Sequence, residues 1–124
     1  MKYGLEVSSL SACYTNGKTA TCILENLSMR VPAGQIGIIV GPSGAGKTTL
    51  LNCVAGLHAY HEGSVVLAID SRRGAIQHTS KQTLSPLERR RIGIAFQHSH
   101  LWSHFTVREN LMHPQIWLGG ISRK

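Results

Sequence analysis

Apolar positions along the chain fall into short runs with two different periods. Leu5, Val7 and Ser9 mark a loose alternation, and Leu5 to Ala12 reads as a strand. Thr15-Asn16-Gly17-Lys18 follows, and Asn-Gly between two such runs is a strong hairpin signal. Cys22 to Val31 reads as the returning strand, ended by Pro32-Ala33-Gly34, so an antiparallel β element is expected first. Gln35-Ile36-Gly37-Ile38-Ile39-Val40 is short, apolar and β-branched, which predicts a buried strand. Leu50, Val54 and Leu57 then recur at i, i+4 and i+7 with Leu51 beside them, one face of a helix.

Ser64-Val65-Val66-Leu67-Ala68-Ile69-Asp70 predicts another strand, and Ser71 to Thr83, polar and carrying Arg72-Arg73, a loop. Ser85-Pro86-Leu87-Glu88 has Ser as N-cap, Pro at the first helical position and Glu at the third, predicting a short helix to about Arg90. Ile92-Gly93-Ile94-Ala95-Phe96 reads as a second buried strand with Gln97 at its carboxyl end, where open α/β sheets bind ligands. Thr106-Val107-Arg108-Glu109 is a second capping box, predicting a helix from Val107 to about Met112 before Pro114.

Between the apolar run ending at Val40 and the helix stands Gly41-Pro42-Ser43-Gly44-Ala45-Gly46-Lys47-Thr48, which fits Gly, four residues, then Gly-Lys-Ser/Thr. Strand, glycine loop and helix are the setting that a phosphate-binding loop requires. Gly41, Gly44 and Gly46 permit backbone angles and close approaches that a Cβ would block. Backbone N–H groups of Ser43, Ala45 and their neighbours through Thr49 are then expected at phosphate oxygens, helped by the helix dipole. Lys47 supplies a point charge for the β- and γ-phosphates, and the Thr48 hydroxyl is a hard oxygen suited to Mg²⁺. A bare glycine turn leading into a helix explains less of this pattern.

Composition narrows the class. The 124 residues allow one domain with a modest core, and 42% apolar content excludes disorder by composition. No apolar run approaches the roughly 20 residues of a membrane helix, and the opening Met1-Lys2-Tyr3-Gly4 starts no secretory signal. The expected place is therefore the cytosolic side. Cys13, Cys22 and Cys53 show no ligand spacing and are expected to be buried apolar residues or free thiols. Net charge is +7 with a pI near 9.9, yet only Leu87-Glu88-Arg89-Arg90-Arg91 concentrates it. No aromatic residues interleave there, so a solvated face is expected and no nucleic-acid partner. His98, His100 and His104 cluster, but no carboxylate or cysteine nearby completes a metal set.

Taken in order, these stretches resemble the ATP-binding subunit of ABC transporters. The residues that carry the resemblance are Tyr14, Ile23-Leu24-Glu25-Asn26-Leu27-Ser28, the glycine loop through Leu51, Ala55-Gly56-Leu57 and Glu62-Gly63-Ser64. Ile92 to Gln97 and Leu101-Trp102-Ser103-His104-Phe105-Thr106-Val107-Arg108-Glu109-Asn110-Leu111 continue it. The resemblance implies an α/β P-loop NTPase core: a partial parallel sheet with flanking helices, preceded by the antiparallel element. Residues 1–124 would be the amino-terminal part of one such ATPase domain. It also implies ATP and Mg²⁺ as cofactors, with Tyr14 stacking on adenine and Gln97 contacting Mg²⁺ and the attacking water. Lys47 and Gln97 would serve hydrolysis; Thr48 and Gln97 would hold the metal.

The segment from Phe96 to Val107, with Pro114 to Lys124, looks most like importers of polar and basic amino acids. By the same resemblance, Trp102 and Phe105 have a reading as contacts to a membrane permease beside one as ordinary packing residues, a second ATPase subunit completes a dimer, and the assembly sits peripherally on the cytoplasmic face. The sequence departs from the family pattern after the Gln97 region. No Leu-Ser-Gly-Gly-Gln signature and no apolar strand ending in Asp-Glu follow, and neither His100 nor His113 fits the switch histidine. The 124 residues alone are expected to lack turnover. A nucleotide-binding module without turnover is the alternative from another class. A P-loop kinase is disfavoured by the early β element and the Gln97 region.

Overall fold

The computed structural model describes residues 3–70, 74–82, 84–98 and 100–117; Arg72-Arg73 and residues 118–124 lie outside them. Two compact units divide the chain, residues 1–92 and 93–124.

The first unit is built on a four-stranded antiparallel sheet: β1 (Tyr3–Asn16), β2 (Thr19–Pro32), β3 (Glu62–Asp70) and β4 (Gly74–Thr79), in the order β2-β1-β3-β4. The hairpin is longer than expected and turns one residue later. Gly17 and Lys18 are its central pair, flanked by Asn16↔Thr19, and Gly17 takes the positive φ of +65° that the turn needs. The apolar alternation of β1 slips phase, from Leu5 and Val7 to Leu10 and Ala12, because Ser9 bulges at φ +48°. β2 slips likewise at Asn26, φ +46°. Each bulged N–H donates to a serine hydroxyl across the pair: Ser9 to Ser28 Oγ at 2.9 Å, Asn26 to Ser11 Oγ at 3.0 Å. The bulges keep Val7, Leu10, Ala12 and Leu24 on one buried face, against Val65, Tyr60 and the helix residues Leu50 and Cys53.

That helix, α1 (Lys47–Val54), is shorter than its apolar spacing suggested. Leu50 and Cys53 are buried, whereas Leu51 and Leu57 are about half exposed. Gly56, at φ +68°, ends it: Gly56 N–H donates to the Cys53 carbonyl at 3.0 Å and Leu57 N–H to the Asn52 carbonyl at 2.8 Å, a Schellman closure. The expected loop over 71–83 contains β4, whose Ile76 and His78 face inward. Two bonds and one close polar contact hold His78. Its Nε2–H donates to the Val54 carbonyl at 3.2 Å, while the Tyr60 hydroxyl lies 3.0 Å from Nδ1 and donates to the His78 carbonyl at 2.8 Å. Burial keeps His78 below the ordinary histidine pKa, and burial, then the Cys53 thiol, pushes Tyr60 up to about 12. The short helix α2 (Pro86–Arg89) has both arms of its expected capping box, so its Ser85 bonds hold the Glu88 carboxyl low.

Two predicted strands do not form ladders. Residues 35–40 run without a strand partner, and Ile36, Ile38 and Val40 are 91%, 83% and 88% exposed; Ile39 alone of the run's branched residues packs against the core. Residues 92–96 likewise form no strand, and Phe96 is half exposed. Strand geometry needs a neighbour's carbonyls and amides, and among the described residues neither run has one. The expected parallel pairing is therefore not in the described sheet, which is antiparallel throughout.

The cysteine expectation is also corrected. Cys13 and Cys22 are register partners in the hairpin and form a disulfide, so only Cys53 is a free buried thiol among the described residues. Strand pairing brought the two together, which spacing alone did not reveal.

The second unit holds α3 (Val107–Trp117), five residues longer than expected and running through Pro114. Its start has the predicted box: Thr106 N–H donates to Glu109 Oε2 at 2.8 Å and Glu109 N–H to Thr106 Oγ1 at 3.2 Å. Those bonds hold the Glu109 carboxyl below its usual range.

Candidate nucleotide-binding site

The loop 41–48 leaves the unpaired run and enters α1 with two left-handed glycines, Gly44 at φ +81° and Gly46 at φ +85°. At Gly46 a Cβ would also stand 3.0 Å from Ile23 Cγ2 and 3.1 Å from Leu24 Cδ2, so the loop is seated on β2 by the absence of a side chain. Gly41 differs. Its φ is ordinary and a Cβ would meet only Ala45 Cβ, at an acceptable 3.5 Å, so the protein's own packing places no demand on it.

Gly46 caps α1 without a side-chain bond, and no acidic residue sits in the first turn. The first helical amide to bond back is Leu50 N–H, to the Gly46 carbonyl at 2.8 Å. The N–H groups of Lys47, Thr48 and Thr49 thus lie ahead of the helical ladder, at its positive end. The Ala45 N–H, in contrast, donates within the loop to the Pro42 carbonyl at 3.3 Å. Lys47 folds over the loop, its ammonium donating to the Gly41 carbonyl at 2.8 Å and the Pro42 carbonyl at 2.6 Å. Two of its three donors are engaged there. Ser43 and Thr48 are exposed. A positively charged group above free amides at a helix start is a receptor for a multiply charged anion.

Tyr14 stands near the tip of β1, 43% exposed, its ring 4.8 Å from that of His58. Its register partner is Thr21, two residues before the Ile23-Leu24 pair that seats Gly46. The hairpin thereby places the aromatic candidate and the glycine loop at the same end of the sheet. Sequence reasoning did not anticipate His58, for no spacing links a turn histidine to a ring so distant in the chain.

Gln97 belongs to the second unit, exposed in a bend and not at the end of a formed strand. In that unit Asn110 clasps the preceding turn, accepting from Trp102 N–H at 2.9 Å and donating to the Phe105 and Thr106 carbonyls at 3.2 and 3.0 Å. Trp102, Phe105 and His113 gather in ring contacts, with Phe105 and His113 stacked at 4.5 Å. Trp102 is nonetheless half exposed. Among the described residues no group of three or more His, Cys, Asp or Glu is placed to hold a metal. None of the described helices is long and apolar enough to cross a membrane.

Known proteins resemble this arrangement. The chain is 32% identical, over 98% of its length, to the arginine/ornithine transport ATP-binding protein AotP of Pseudomonas aeruginosa. It is 36% identical, over 82%, to the histidine/lysine/arginine/ornithine transport ATP-binding protein HisP of Escherichia coli, and 34% identical, over 93%, to the lipoprotein-releasing system ATP-binding protein LolD of Anaplasma marginale. Among solved structures, the dimeric post-hydrolysis state of the ATP-binding cassette MJ0796 bound to ADP and Pi superposes with a TM-score of 0.74 at 29% identity. That match covers 97% of this chain and 50% of the other. The chain spans about half the length of the curated relatives as well, 48%, 42% and 49% in the order given. Residues 24–123 match the family described as ABC transporter, a stretch that takes in the glycine loop, its helix and Gln97 together, and the chain belongs to that family.

Proposed function

We propose that this chain is the nucleotide-binding part of an ABC transporter's ATP-binding subunit, which couples ATP binding and hydrolysis to solute import. The observation that carries the reading is the glycine loop, with Lys47 folded over it and the α1 amides ahead of their ladder. Gly41, Ser43, Gly44, Gly46, Lys47, Thr48 and Thr49 hold the phosphates, and Ala45 joins them by turning its N–H from the Pro42 carbonyl to the ligand. Gly41, which the fold itself does not require, is explained by close approach of a phosphate. Tyr14 offers a ring face to the base. Thr48 and Gln97 supply hard oxygens for Mg²⁺, which neutralises charge on the β- and γ-phosphates when bound. Lys47 stabilises the charge that develops on the transferred phosphoryl, and Gln97 orients the attacking water.

Residues 1–124 act as one partial domain in this reading, completed by sequence equivalent to the other half of the relatives. The 124 residues bind nucleotide but do not turn it over, because they contain neither the acidic strand that polarises the water nor the signature that closes a partner's site. The dimeric solved relative supports a second ATPase subunit as partner, and the family supports a membrane permease and a peripheral location at the cytoplasmic face. Polar or basic amino acids as cargo are supported by the AotP and HisP relatives. Mg-ATP titrated into the monomeric chain by calorimetry tests the core of this. Lys47→Ala removes a charge-assisted contact worth about 1.5–3 kcal/mol, so affinity falls roughly tenfold or more. Equal affinities in two folded proteins overturn the assignment.

A further inference from the structure

The hairpin tip that carries Tyr14 is held by little besides one covalent bond. Beyond the register shift between Ala12 and Cys13, the pairs are Cys13↔Cys22, Tyr14↔Thr21, Thr15↔Ala20 and Asn16↔Thr19. Tyr14, Thr15 and every residue from Gly17 to Ile23 are exposed, so no apolar burial fixes the tip's direction. Its noncovalent anchors come from the segment that leaves α1. Cys13 N–H donates to His61 Nδ1 at 3.2 Å, His61 N–H donates to the Ser11 carbonyl at 2.8 Å, and the Tyr14 ring rests on His58. Cys22 is exposed and Cys13 partly so, whereas Cys53 is fully buried and outside the exchange.

We propose that Cys13 and Cys22 are a reversible dithiol–disulfide site whose oxidation state sets how firmly Tyr14 is presented to nucleotide. The inference rests on the reading of Tyr14 as the base-stacking residue and of the chain as working where thiols are kept reduced. In such compartments an accessible disulfide is transient and redox-sensing more often than structural. The oxidant is a low-molecular-weight disulfide. The exposed Cys22 thiolate attacks one of its sulfurs, breaking that S–S bond, forming a mixed disulfide and releasing one thiolate. The Cys13 thiolate then attacks the Cys22 sulfur, forming the protein bond and releasing the second thiolate. Two electrons pass from the protein dithiol to the small disulfide, which leaves as two thiols; the protons of Cys13 and Cys22 go to solvent or to those thiolates. A reducing thiol reverses each step. Oxidation ties the two strands of the tip together just beyond the register shift and steadies Tyr14 beside His58; reduction leaves the tip its backbone pairs from Cys13↔Cys22 to Asn16↔Thr19 and the His58 and His61 contacts.

The test equilibrates the full chain in glutathione buffers from fully reduced to fully oxidised, quenches in acid, alkylates, and maps the cysteines by mass spectrometry. Mant-ATP affinity is measured across the same buffers. The expected result is a single exchange between Cys13 and Cys22, with Cys53 a thiol throughout, and at least threefold tighter mant-ATP binding in the oxidised form. Tyr14→Ala abolishes that difference while leaving the exchange intact. Cys13 and Cys22 remaining thiols at every ratio, a bond that never reduces, or pairing with Cys53 overturns the site. An exchange with equal mant-ATP affinity in both states, while Tyr14→Ala weakens both, overturns the coupling and leaves the stacking reading standing. Tyr14→Ala that binds like the unaltered chain in both states, with the exchange intact, overturns the stacking reading and the coupling built on it.

Discussion

Tyr14 and His78 are two aromatic side chains with opposite requirements. Tyr14 is exposed with His58 beside its ring, and in the proposed stacking role it is the ring face, not the hydroxyl, that meets the base. Tyr14→Phe is therefore expected to bind Mg-ATP like the unaltered chain, and Tyr14→Ala to lose about 1–3 kcal/mol. On the same account GTP is expected to compete appreciably with ATP, since a ring face tolerates either base. Loss of affinity in Tyr14→Phe, read in a competition titration, contradicts stacking. His78, in contrast, is 2% exposed and held neutral by burial, with the Val54 carbonyl and Glu88 only partly opposing that. Its folded pKa lies below the unfolded value of about 6.5, so between the two the unfolded chain binds a proton that the folded chain refuses. Stability falls as pH drops below about 6.5 and is flat above it as far as this group is concerned. Urea midpoints from pH 5.5 to 7.5 should show that slope, and His78→Gln should flatten it even while lowering every midpoint.

At the scale of elements, β1 and β3 meet where Gly63, φ +98°, lies against the Ser9 bulge. A Cβ there would sit 2.6 Å from both the Ser8 and Ser9 carbonyl oxygens and 2.8 Å from Leu10 Cα, all of them backbone. Gly74 has a similar φ of +72° but open space around it. Gly74→Ala should therefore cost about 1 kcal/mol, the conformational term alone, and Gly63→Ala about 3 kcal/mol or more, measured by amide hydrogen exchange in β3. Equal costs would mean that the close approach is not rigid. These elements also mark how far the sequence could be read. Capping boxes at Ser85 and Thr106, the Asn16-Gly17 turn region and the glycine loop were legible because each is local chemistry, complete within a few residues. The disulfide, the Tyr14–His58 contact and the Asn110 clasp depend on pairing or turns that no single stretch encodes. Strand β4 was missed because Ile76 is its one large apolar residue and its other inward position is a histidine. The bulges were visible as a phase slip from Val7 to Leu10 and from Leu24 to Leu27, a signal that a strict alternation test discards. Residues 35–40 and 92–96 have strand composition without strand structure, since composition expresses readiness to pair and only a neighbour supplies the ladder.

For the whole molecule, those two runs fix what the 124 residues do. An exposed apolar run outside any ladder is a template for another strand, and it forgoes burial worth about 25 cal/mol per Å². Against a typical folding margin of about 5–15 kcal/mol, that loss weakens the frame on which the phosphate loop is mounted. The loop itself depends on β2 and α1, both present and packed, so binding is expected to outlast turnover. Phosphate release under saturating Mg-ATP, run on the 124-residue chain and on Lys47→Ala beside a thermal melt, tests this most directly. The account predicts Lys47-dependent binding, nucleotide recovered as intact ATP, and release no faster than buffer. Lys47-dependent phosphate release from a monomer with a sharp, cooperative melt would contradict it.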